Sequence, residues 1–154
     1  MRVIAFEPDP VARQVLTARF GKSNRVTIIP KAIGGSARTA IFHQASEIDA
    51  TRTEASSLFE TKHNAKGTAF EVEVVDIVQF LRGLQDPIAV IKMDIEGAEA
   101  ECLEAIMDAG IHHSIGKILV ETHERFSPDL AERIGNLRDR IKREGIRNIN
   151  MDWG

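Results

Sequence analysis

The chain has 154 residues, 43% of them hydrophobic and 28% charged, with a net charge of −3. That balance is ordinary for a globular protein and supplies no excess of positive charge, so nucleic acid is not an expected partner. Cys102 is the sole cysteine, which excludes an internal disulfide, and no apolar run reaches the ~18 residues of a membrane span.

One domain is the simplest organisation, and a chain of this length can bury roughly 70% of its unfolded surface. The N-terminus carries no basic region followed by a long apolar one, so a cytoplasmic location is expected and no membrane partner is.

The first element is a short strand, Val3 to Phe6, ending in Glu7. A helix over "PDPVARQVLTARFGK" follows, with Asp9 as cap, Pro10 in the first turn and Gly21 as stop. "RVTIIP" reads as a second strand. "ARTAIFHQ" and the alternating "AFEVEVV" read as a local antiparallel pair, and "IGGS" (Ile33–Ser36) as a turn. Between that pair lies a polar stretch, Ala45 to Lys66, too long for a plain connector. Asp76 is placed to cap the helix "IVQFLRG". The strand "IAVIKMD" leads into the helix "EGAEAECLEAIMDAG", which turns Cys102 and Leu103 toward the core. "KILVET" is a further buried strand, "DLAERIGNLRDRIKREG" an amphipathic helix, and "IRNINMDW" contains a last strand. Short apolar strands alternating with amphipathic helices predict a doubly wound α/β fold with a mostly parallel sheet.

In open α/β sheets, ligands bind beyond the carboxyl ends of the strands. Three predicted strands end in acid, at Glu7, Asp94 and Glu121, with Glu96, Glu99 and His123 nearby in sequence. A single acid there is explained by solvent or by capping the next helix. Three on one rim point to a site. Dinucleotide-type sites use such an acid, about 20 residues after a glycine-rich turn, to accept both hydrogen bonds of a ribose diol. Counting back from Glu7 runs off the start of the chain.

The string "IKMDIEGAEAECL" (Ile91–Leu103), in order with "VIAFEPDP", "VTIIPKAIGG", "SSLF", "VEVVDIVQFL" and "ILVETH", resembles the FkbM-type family of S-adenosylmethionine-dependent methyltransferases. The resemblance runs from Val3 to about Phe126 and implies a Rossmann-like methyltransferase fold. It implies that Glu7 holds the ribose of S-adenosylmethionine, and that Ala32 and Ile33 lie by the adenine edge. Lys31 stands where many methyltransferases place an acid for the adenine amino group. By the same resemblance, Asp94 borders both the cofactor and the transferred methyl group, with Glu121 and His123 on the opposite rim. Family members carry a glycine loop on a strand before "FEPDP", which this sequence does not show. The chain is therefore expected to be a partial, N-terminally truncated domain. It is expected to bind cofactor weakly alone and to pair its Val3–Phe6 and Ile88–Met93 strands directly or self-associate through the gap.

The expected activity is O-methylation of a small-molecule or sugar hydroxyl. His123 is the candidate base, since an imidazole titrates near pH ~6.5, and Asp94 positions the nucleophile or cofactor. Lys92, inside an apolar strand, is expected to be buried against a carboxylate. His43, His63, His112 and His113 are expected at the surface. Ser56 and Ser57 lie in the long polar stretch, and with no Ser-His-Asp ordering in the sequence neither is expected to be a nucleophile. No residue is assigned to a metal. Two other readings remain: a non-catalytic fragment of such an enzyme, or a Mg²⁺-dependent phosphohydrolase using the clustered carboxylates.

Overall fold

The computed structural model describes residues 1–44, 56–58 and 68–153. Most of the polar stretch Ala45–Lys66, with His63, lies outside them. The chain divides into two compact units, one of residues 1–33 and 37–75, the other of residues 34–36 and 76–154.

In the first unit, β1 (Val3–Phe6) pairs in parallel with β2 (Val26–Ile29), Val3 opposite Val26 and Phe6 opposite Ile29. Between them runs α1 (Pro10–Phe20). Its start follows from local chemistry: Asp9 is extended, and its Oδ1 accepts from the N–H groups of Val11 (2.8 Å) and Ala12 (3.4 Å). Pro10 occupies a position whose N–H would have had no helical partner. Leu16 and Phe20 of α1 line an apolar groove with Val3, Ala5, Val26 and Ile28.

A second sheet of this unit has the order β3 (Ala32–Gly34), β5 (Ala69–Asp76), β4 (Arg38–His43). β4 and β5 are antiparallel, as expected, with Arg38 opposite Val74 and His43 opposite Ala69. Alternation along β5 turns Val72 and Val74 inward onto Ala32 and Phe42, while Glu71 and Glu73 stay exposed. Phe42 and Phe70 face each other across the pair with ring centroids 5.6 Å apart. β3 is a correction: Ile33 and Gly34 belong to a strand, and only Gly35 and Ser36 bend. Three residues are too short to leave a periodic signal.

The second unit contains α2 (Ile77–Gly83), β6 (Ile88–Met93), α3 (Glu99–Asp108), β7 (Ile115–Val120), α4 (Pro128–Glu144) and β8 (Ile149–Asn150). Its sheet, ordered β6-β7-β8, is parallel throughout. The molecule is thus mixed α/β with mostly parallel strand pairs, the class expected. Leu103 and Ile106 of α3, Ile118 of β7 and Ile134 of α4 are all fully buried in the core of this unit. Ser127 caps α4, its Oγ accepting from Leu130 N–H at 3.1 Å. Register sets the rim: Met93 lies opposite Val120, and the Glu121 N–H donates to the Met93 carbonyl at 2.9 Å.

Two further expectations are corrected. Lys92 is exposed, because β6 ends its sheet and has β7 as its hydrogen-bonded neighbour; its ammonium lies 3.4 Å from Asp94 Oδ2 and 4.5 Å from the Trp153 ring centroid. His112 is buried, in the 3-10 turn Ile111–Ser114 that follows α3, where the Asn148 amide donates to its carbonyl. Within their own units, β1 pairs with β2 and β6 with β7.

Candidate active site

The residues after β6 make an unusual turn. Glu96 has φ 52° and Gly97 φ 111°, so two successive residues sit at positive φ. Only the second is a glycine, for which that region carries no Cβ penalty. The turn aims two backbone N–H groups at the side chain of Glu99, the first residue of α3. Glu99 Oε1 accepts from Ile95 N–H at 3.1 Å, and Oε2 from Gly97 N–H at 2.9 Å. Oε1 also takes the Nδ1–H of His123 at 2.8 Å. A carboxylate accepts only, so this bond fixes the proton on Nδ1. Glu99 is fully buried, and these three donors are what make that tolerable.

His123 lies beyond β7, with its ring 1% exposed. Its Nε2 is 3.3 Å from Glu96 Oε2, and the Phe126 ring packs 5.2 Å away. Burial opposes a charge on the ring, but the flanking Glu96 and Glu99 carboxylates outweigh it and push the imidazole up to about 10. Held this way, His123 carries its proton at neutral pH and must lose it before it can accept another.

The segment bearing His123 is fastened from α4. Arg138 donates to Glu124 Oε1 at 2.7 Å and to Thr122 Oγ1 at 3.2 Å. The hydrogen bond from Thr122, helped by Arg138 and opposed by burial, draws the Glu124 carboxyl down to about 2. Asp94 is the most open acid of the group, and Lys92 pairs with its Oδ2. Asp94, Glu96 and His123 each present a ligand-type atom, all within 4.8 Å of one another.

The family profile described as "Methyltransferase FkbM domain" matches residues 1–147. The chain belongs to the FkbM methyltransferase family. No significant match appears among curated proteins or among solved structures. In this FkbM chain, the turn just described is the Lys-x-Asp-x-Glu-Gly-x-Glu string itself: Gly97 at positive φ, Glu96 beside the imidazole, Glu99 beneath it. Asp94 and His123, singled out in the sequence, come together there. Glu96 and Glu99, given no role in the sequence, complete the group. The signal was available, since a glutamate opening an apolar helix two residues after a glycine is placed to receive the turn's N–H groups.

The remaining candidates belong to the first unit of the FkbM domain. Glu7 follows β1, and its Oε1 accepts from Asp9 N–H at 2.9 Å. Arg13 holds the bend by donating to the carbonyls of Glu7 (3.4 Å) and Pro8 (3.2 Å). Asp9, not Glu7, is the hub: besides capping α1 it accepts from Gln44 Nε2 and Ser56 Oγ, each at 2.9 Å. Ala32 is part of the apolar core and Ile33 is half-buried. Lys31 is paired with Glu73.

Burial raises the Glu7 carboxyl from 4.5 to about 7; the Asp9 N–H opposes this, the Asp9 charge adds to it, and Arg13 opposes it. A raised acid binds its proton more tightly folded than unfolded. The resulting stability is full below pH 4.5 and is lost as pH rises through about 7. Glu7→Gln, neutral at every pH, should therefore melt close to the wild type at pH 5 and above it at pH 8. A Tm difference that stays constant between the two would show that Glu7 ionises in the folded state as it does in the unfolded one.

Proposed function

We propose that this protein transfers a methyl group from S-adenosylmethionine to a hydroxyl group on a small molecule or sugar. The reading is supported by one observation above all. In a chain of the FkbM family, an open carboxylate (Asp94) stands at a strand end beside an imidazole fixed by a buried carboxylate (Glu99). S-adenosylmethionine supplies an activated methyl with its leaving group already built in, so the protein's part is binding and alignment.

Glu7 fits a ribose: it is half-buried, one of its oxygens is held by the Asp9 N–H, and the other is available to hydroxyl donors. Ala32 and Ile33 would offer backbone to the adenine edge. Asp94 would accept the hydrogen bond of the acceptor hydroxyl, orienting its oxygen and drawing off its proton. His123, held by Glu99 and Glu96, would set its imidazole beside that oxygen as the second group that handles proton or charge there.

The test is release of S-adenosylhomocysteine from S-adenosylmethionine across a panel of alcohols, sugars, amines and thiols. Release that depends on a hydroxyl-bearing acceptor is expected. Release with amines or thiols alone would overturn the assignment to oxygen, and cofactor that neither binds at millimolar concentration nor turns over would overturn the reading as a whole.

A further inference from the structure

An acidic rim needs no ion, but a buried imidazole aimed into it needs a partner. Its side chain is 1% exposed, its Nδ1 is committed to Glu99, and its Nε2 is buried without a hydrogen bond among the described residues. Glu96 Oε2 is only 3.3 Å from Nε2, close enough to attract but outside hydrogen-bonding geometry. A histidine that ligates a metal commonly donates its other N–H to a carboxylate, which fixes the tautomer and points the remaining lone pair at the ion. Glu99 does this to His123. The other nitrogen faces Glu96 and Asp94, with all three ligand atoms within 4.8 Å of one another.

We infer that Asp94, Glu96 and His123 bind a divalent first-row transition cation, with Glu99 orienting the imidazole. Such ions hold imidazole nitrogen and carboxylate oxygen at about 2.0–2.2 Å, which brings neighbouring ligands to roughly 3 Å. Nε2 and Glu96 Oε2 already meet that spacing. Asp94 is exposed and needs only a side-chain rotation, sharing its second oxygen with Lys92. Two carboxylates balance the charge of the ion, and the imidazole binds it by giving up its Nε2 proton. One nitrogen among the donors favours ions such as zinc or iron over magnesium and calcium, which prefer oxygen alone, and manganese, which takes carboxylates readily, serves as the paramagnetic probe. The positions left open would take water or, on the methyltransferase reading, the acceptor hydroxyl, whose ionisation a metal promotes.

The test uses binding alone, so its failure is separable from failure of methyl transfer. Protein freed of metal with a chelator is titrated with Mn²⁺, followed by calorimetry and by electron paramagnetic resonance. One saturable ion per chain is expected, with nitrogen coupling from an imidazole and a raised Tm. Asp94→Asn, at an exposed position that the fold does not need, and Glu96→Gln should each weaken binding by at least about tenfold. Glu104→Gln, whose carboxylate pairs with Arg133 of α4, should leave it unchanged. No saturable binding up to millimolar Mn²⁺, bound Mn²⁺ without nitrogen coupling, or equal binding in Asp94→Asn would overturn the inference. Equal affinity for Mg²⁺ would overturn the transition-metal assignment.

Discussion

Replacing Glu99 with alanine is expected to destabilise the protein by about 3–5 kcal/mol, the cost of breaking a buried charged pair from one side. The substitution removes the acceptor of three donors at once, the N–H groups of Ile95 and Gly97 and the Nδ1–H of His123. Two of these sites are closed to easy replacement by solvent, since Gly97 and His123 are buried, while Ile95 is half-buried. It also releases the two hydrogen bonds that hold the turn at Glu96–Gly97 against the start of α3. For a chain of about this size each kcal/mol lowers Tm by about 2–4 °C, so a fall on the order of 10 °C is expected. Denaturant titration measures it directly. A loss below about 1 kcal/mol would show that water can take the place of the carboxylate.

His123→Ala is expected to lower turnover by roughly 10²–10⁴-fold, the range for losing a group that handles a proton or charge at the reacting atom. Alanine also strands Glu99, so the fold and the chemistry would fall together. His123→Asn separates them. The asparagine amide nitrogen can stand where Nδ1 stood and still donate to Glu99, but nothing replaces Nε2. Asparagine should therefore keep a melting temperature close to wild type and lose turnover almost as alanine does. If asparagine retained turnover, the ring would be a structural prop for Glu99 and nothing more.

What could be read from the residues alone follows a physical line. α1, α2 and α4 announce themselves through caps and punctuation: Asp9 with Pro10, Asp76, and the αL glycine Gly145 after a buried stripe. The strands that carry the candidate site were legible as apolar runs closing in acid. Burial of individual polar residues was not legible, because it depends on neighbours distant in sequence. Lys92 was expected inside, yet its strand ends its sheet. His112 was expected outside, yet the chain after α3 folds it under. The chemistry of Glu99 was hidden for the same reason: its partner His123 lies 24 residues further on. Only the register of β6 against β7 brings their ends level.

The turn at Glu96 and Gly97 has a consequence for how this sequence can change. A glutamate at φ 52° adopts a backbone that glycine or asparagine would hold with less strain. Either exchange would relax the loop, and either would delete the carboxylate beside the imidazole. The position is thus one where the more comfortable residue is the less useful one, and screens that select for thermal robustness will be drawn to the substitutions that empty the rim of its chemistry.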